Sequence, residues 1–116
     1  MKSKTVDRIM LGDWLMVNSH PTKVTEENIG HIANSSREGI PLTAAVCKKI
    51  GFKREGGVSY LHQGKFSLAL FHWNEHRTEL VISGDKVTHI LDIDISAVHE
   101  FQHALDVCGI TIEITL

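Results

Sequence analysis

Cysteine is nearly missing from this 116-residue chain: Cys47 and Cys108 stand apart, and no C-x-x-C pair exists. That excludes a disulfide framework and cysteine-rich zinc modules, and it is consistent with two free thiols in a reducing cytoplasm. Proline is as scarce, at positions 21 and 41 only, which leaves no Pro-rich linker or docking segment. An excess of one charge sign is lacking too. Twelve Lys and Arg stand against fourteen Asp and Glu, for a net charge of −2 with histidines neutral. No basic field of the kind that draws nucleic acid or an anionic membrane follows from that balance. Long apolar runs are missing as well. The opening lysines lead into a stretch broken by Asp7, Arg8 and Asp13, which reads as neither a signal peptide nor a membrane span. Glycine-rich phosphate loops and the G-x-S-x-G elbow are likewise absent, so nucleotide binding and elbow-type hydrolysis have no local support.

What is present is ordinary for a cytoplasmic globular domain: 42% hydrophobic and 22% charged residues. The length suits one domain, residues 1–116, with a single modest core. Residues 9–17 and 22–25 read as two strands around an Asn18-Ser19-His20-Pro21 turn, a hairpin like the one that opens small SH3-like barrels. Residues 28–39 are polar and contain Gly and Ser, and read as a loop. Thr43 can cap a short helix at about 43–50 that carries Lys48 and Lys49 in its last turn and that Gly51 ends, and Arg54-Glu55-Gly56-Gly57 reads as a flexible turn. Four strand-like segments follow, 58–62, 66–73, 79–82 and 86–93, separated by short turns that predict an antiparallel meander. Asp92, Asp94 and Ser96 are placed to satisfy the first amides of a helix at about 96–108. Residues 110–116 alternate as a last strand, with Ile110, Ile112, Ile114 and Leu116 inward. The fold class is therefore α+β: a mostly antiparallel sheet of about six strands with two helices.

The last helix carries the sharpest chemical signal, His99-Glu100-Phe101-Gln102-His103, a match to the zinc-protease pattern H-E-x-x-H. Residues i and i+4 lie on one helix face, so two imidazoles can grip one zinc while the Glu acts as general base on its bound water. On that reading Glu100 is catalytic, and His99, His103 and Asp106 are the metal ligands. A third ligand could otherwise come from His62, His72, His76 or His89. The metzincin extension is missing, with Asp106 and Gly109 where Gly and His would stand. His and Glu each occur eight times, so this pattern arises by chance in roughly 4% of such chains. On a helical wheel of about 100° per residue, Val98, Phe101, Ala104, Leu105 and Cys108 share one face, and His99, His103 and Asp106 the opposite one. The two histidines are thus expected to face water on a surface helix rather than line a cleft.

Leu11-Gly12-Asp13-Trp14, Lys23-Val24, Ile40-Pro41-Leu42-Thr43, Gly51-Phe52 and Val98–Leu105 occur in this order in a set of small proteins of gut Bacteroidetes and their phages. The chain resembles that set over most of its length. The resemblance implies a small α+β domain, and no activity comes with it. The final helix of those proteins often reads His-x-Leu-Gln-Asn, without the second histidine, so the resemblance implies no family-wide zinc site.

Two functional classes follow. The first is a cytosolic, non-enzymatic interaction or accessory protein of phage or mobile-element origin, working by protein partnership or self-association, with no cofactor, nucleic acid or membrane. The second is a zinc-dependent hydrolase. The wheel also generates a test. His99, His103 and Asp106 at i, i+4 and i+7 should bind a divalent transition ion weakly, copper and nickel ahead of manganese, with binding fading as the imidazoles protonate. A nickel titration followed on the histidine ring resonances should move His99 and His103 together; silence at both would remove even this site.

Overall fold

The computed structural model describes residues 9–74, 77–84 and 89–116. The expectations for residues 1–8, for His76 and for residues 86–88 lie outside them, as does the side chain of His89. The protein is α+β, built on two antiparallel sheets and three helices.

Strands β1 (Trp14–Val17) and β2 (His20–Lys23) form the expected hairpin, with Trp14 opposite Lys23 and Val17 opposite His20. Asn18 and Ser19 take positive φ of 48° and 68°, the left-handed pair that a two-residue hairpin turn needs. Residues 28–39 are not simply a loop. They hold a short helix, α1 (Ile29–Ala33), and a strand, β3 (Arg37–Gly39), which pairs with β1 on its other edge. The i, i+3 spacing of Ile29 and Ile32 turns Ile32 into a small core with Leu15, Val17 and Val24, and this tertiary contact outweighs the polar composition.

Helix α2 (Ala44–Ile50) follows the sequence reading. Thr43 Oγ1 accepts from Val46 N at 3.2 Å, and Gly51, at φ 120°, ends it. The Arg54 region, expected as a turn, is instead a short strand, β4 (Lys53–Glu55). It begins a five-strand meander with β5 (Val58–Gln63), β6 (Phe66–Asn74), β7 (Arg77–Ser83) and β8 (His89–Ile95), in the order β4-β5-β6-β7-β8. Leu68, Leu70, Leu80, Ile82 and Ile95 alternate onto its inner face. Helices α2 and α3 (Val98–Val107) cover that face with Cys47, Ile50, Val98, Phe101 and Leu105. Phe101 is fully buried and meets Phe52 edge-on at 5.6 Å. Both cysteines are free.

The C-terminal segment departs from expectation. Ile110 and Ile114 are buried with Thr111, Glu113 and Thr115 outward, so the alternation holds, but residues 110–116 join neither sheet. Two of their carbonyls meet side chains instead: Gln63 Nε2 donates to Thr111 O at 3.1 Å and Trp14 Nε1 to Ile114 O at 3.0 Å. Alternation reports a buried face, and a ladder needs an open strand edge besides.

The small sheet meets α3 at Gly39. A Cβ there would lie 2.8 Å from Ala97 Cβ and 3.1 Å from His99 Cε1, closer than packed carbons tolerate. Gly39→Ala is therefore expected to lower unfolding stability by about 1–3 kcal/mol through overpacking, measured by urea titration. An unchanged midpoint would mean that the sheet and helix are not held at this distance.

Candidate functional site at the H-E-x-x-H helix

The helix that carries the motif is covered on both sides. Its apolar stripe lies on the five-stranded sheet, and its polar stripe lies against the segment that leads into β1. This corrects the wheel reading in one respect. His99 and His103 do stand opposite Phe101, but they are half-buried rather than facing water, because Gly39 and Asp13 close over them. The wheel resolves the faces of one helix and carries no information on what a distant segment lays across them.

Each residue of the motif has a structural partner. Glu100 Oε1 accepts from Ser96 N, Ser96 Oγ and Ala97 N, each at 2.9 Å. This is half of a capping box: Ala97, at the N-cap, has no side-chain acceptor to return the bond. Asp92 and Asp94, expected as caps, are exposed on β8 instead. Asp94 accepts from Arg77 Nε at 3.1 Å. The carboxylate that caps the helix comes from inside it.

Gln102, one of the unspecified positions of the motif, grips the start of β1 with both ends of its amide. Its Oε1 accepts from Trp14 N and its Nε2 donates to Gly12 O, both at 2.8 Å. One turn on, His103 Nε2 sits 2.9 and 3.0 Å from the two carboxylate oxygens of Asp13. A carboxylate only accepts, so the Nε2 proton lies toward it. The Asp13 side chain is 3% exposed and also accepts from Met10 N at 2.9 Å. A buried carboxylate requires such partners.

His99 differs from its neighbours. Its ring stands edge-on to His103 at 5.7 Å, and its Nδ1 is buried with no hydrogen-bond partner among the described residues. Burial holds its pKa below the ordinary histidine value, against the opposite pull of Glu100 and Asp13 and with the help of His103.

These residues do not fit a catalytic zinc. The Nε2 of His103 is turned to Asp13, the Glu100 carboxylate is held at the helix start, and Asp106 is exposed. Chelation through Nε2 of His103 would require breaking the Asp13 bond. Among the described residues, no group of three His, Cys, Asp or Glu side chains is placed to hold a metal ion. His62 and His72 lie elsewhere, each bonded to a serine: His62 Nδ1 to Ser67 Oγ and His72 Nε2 to Ser59 Oγ, both at 3.1 Å. Beside Asp13 and His103 runs an open cavity of about 310 Å³ between Met10–Trp14, the polar side of α3 and Ile110–Ile114. Sequence reasoning missed Asp13 and Gln102, whose partners lie 88 to 90 residues away. The Leu-Gly-Asp-Trp signal was visible only as a turn.

Compared with protein-family models, curated proteins and solved structures, the chain matches none of them. No helix among the described residues is long and apolar enough to cross a membrane.

The depressed histidines set a pH response. Unfolded imidazoles titrate near 6.5; His99 and His72 titrate lower in the fold, both chiefly through burial and His72 also through Arg54. Between the two values the unfolded chain binds more protons, so stability falls as pH drops below about 6.5 and levels off once the folded groups protonate. Urea midpoints measured from pH 8 to pH 5 should decline, and His99→Gln should flatten part of that slope. A midpoint that rises toward pH 5 would contradict the burial of His99.

Proposed function

We propose that this chain is a small non-enzymatic interaction protein that pairs with a second copy of itself through the outer face of its five-stranded sheet. The observation that carries this reading is an apolar patch that no other element of the described residues covers. Helices α2 and α3 pack on the inner face, whereas Val58, Tyr60, Ala69, Phe71, Trp73, Val81 and Ile90 point outward and belong to neither core cluster. Tyr60, Trp73 and Ile90 are 40%, 57% and 47% exposed. The aromatic part is already ordered. Trp73 stacks on Phe71 at 5.8 Å, donates its Nε1 to Glu79 at 2.8 Å and lies under the Arg77 guanidinium at 5.7 Å. A fixed plate loses little conformational entropy on docking.

A second copy is the occupant because the face complements itself. Strand register aligns Lys53, Tyr60, Ala69, Val81 and Asp92 in one row across the sheet. The row is basic at one end, acidic at the other and apolar between. A two-fold axis parallel to the strands, through β6, sets Lys53 of one copy on Asp92 of the other and stacks the small Ala69 on itself. An axis across the strands would oppose like charges. One edge of the sheet points the same way. β4 is three charged, exposed residues, too short and too polar to extend the sheet sideways. Five strands about 4.8 Å apart and about 20 Å long make a plate of roughly 500 Å², so two copies would bury about 1,000 Å², at the lower limit for a specific interface. The dimer is accordingly weak. A cytosolic accessory role on a phage or other mobile element is supported by the resemblance of the chain to proteins of gut Bacteroidetes and their phages.

Sedimentation equilibrium tests this on the full chain. A monomer–dimer equilibrium in the micromolar range is expected. Phe71→Glu should abolish it without loss of circular dichroism, Lys53→Glu should weaken it, and Lys53→Glu with Asp92→Lys should restore it. A wild-type chain that stays monomeric at millimolar concentration would end the proposal.

A further inference from the structure

A second cavity, of about 520 Å³, opens where α2 meets the edge strand β4. Its volume lies within the range of small-molecule sites. Ala44, Ala45 and Phe52 give it an apolar wall; Lys48 and Arg54 bring cations to that wall; Ser59 forms the floor. Among the described residues no carboxylate lines it, in a chain whose acids outnumber its bases fourteen to twelve. Lys48 belongs to the last turn of α2, Arg54 and Ser59 face each other across the β4–β5 ladder, and Lys53 precedes Arg54.

The floor is the unusual part. Ser59 is 1% exposed, one of two polar residues, with Thr78, buried on the inner face of the sheet among the described residues. Its Oγ lies 3.1 Å from His72 Nε2, and the buried thiol of Cys47 is its neighbour. Burial pushes that thiol up to about 11, which keeps it protonated and uncharged at neutral pH. The Arg54 guanidinium acts on both groups, opposing the rise at Cys47 and disfavouring the imidazolium of His72, so it stands close to this floor. Arg54 Nε donates to Gly56 O at 2.9 Å, a bond that orients the guanidinium. A hydroxyl network held neutral beneath a cluster of cations is half of an anion site.

We propose that this cavity binds a small molecule bearing one oxyanion group, carboxylate or phosphate, on an apolar body. The anion sits between Arg54 and Lys48 above Ser59, and the body lies on Phe52, Ala44 and Ala45. Arg54 supplies the planar fork that matches two oxygens, and Lys48 supplies a mobile point charge. The chemistry is binding alone; no bond is made or broken.

The test uses the full chain, isotope-labelled, titrated at pH 7 and low salt with phenyl phosphate, benzoate and benzyl alcohol. Saturable amide shifts confined to residues 44–59 are expected with at least one of the two anions and with neither when the neutral alcohol replaces them. Tighter binding of phenyl phosphate identifies a phosphate ligand, and tighter binding of benzoate a carboxylate. Arg54→Gln should weaken binding about tenfold, the loss of one charge-assisted contact at an exposed site. Both cations are exposed, so circular dichroism should be unchanged in Arg54→Gln and Lys48→Gln. A second readout is independent of affinity. An anion on Arg54 relieves its repulsion of the imidazolium, so the His72 ring should titrate at higher pH when the site is filled. Shifts shared with Lys23 and Lys65, equal binding of the alcohol, or an unmoved His72 titration under saturating anion would each overturn the proposal.

Discussion

A helix that is covered on two sides has to find a partner for every polar group it buries, and α3 is such a helix. Its apolar side needs nothing beyond close packing: Val98, Phe101 and Leu105 fill the space under the five-stranded sheet. The other side carries two imidazoles and an amide into a half-buried seam. Left unmatched, each would disfavour the fold by an amount comparable to a lost hydrogen bond or more. Asp13 and the backbone of Gly12 and Trp14 supply most of the match. The small sheet is therefore not an appendage. Its place on the molecule is set by what α3 needs, and Gly39 permits the approach.

The H-E-x-x-H pattern can be reread in that light. A spacing of four puts two side chains on one helix face whether the object they face is a metal ion or a strand. In this chain His103 faces a carboxylate, His99 faces a glycine, Glu100 holds the helix start and Phe101 fills the core. A short motif specifies the direction of side chains and leaves their occupation to the rest of the chain. The residue outside the pattern, Gln102, makes the most specific contacts of all.

What could be read from sequence followed the range of the forces concerned. Local signals were legible: the Thr43 cap, the Gly51 stop, the apolar stripe of α3, the turns of the meander and the free thiols. Those depend on neighbours within a few residues. Long-range pairing was not legible. β3 forms because β1 offers it an edge, and residues 110–116 stay out of the sheets because side chains reach their carbonyls first. The exposure of the histidines failed for the same reason, since Asp13 lies ninety residues from His103. The cationic cavity was equally hidden: Lys48 reads as a favourable charge at a helix C-terminus and Arg54 as a turn residue, and only the fold brings them over Ser59.

The contacts that close the molecule join its beginning to its end. Gly12, Asp13 and Trp14 are held by Gln102, His103 and Ile114, across separations of 88 to 100 residues. During synthesis the hairpin leaves the ribosome long before the groups that will fix it. At about 5–20 residues per second, that interval is several seconds. For that time the carboxylate of Asp13 stays hydrated and the hairpin has only its own small cluster around Leu15 and Ile32 to rely on. The segment Gly12–Trp14 thus settles late, and loss of Gln102, His103 and Ile114 would release structure around it.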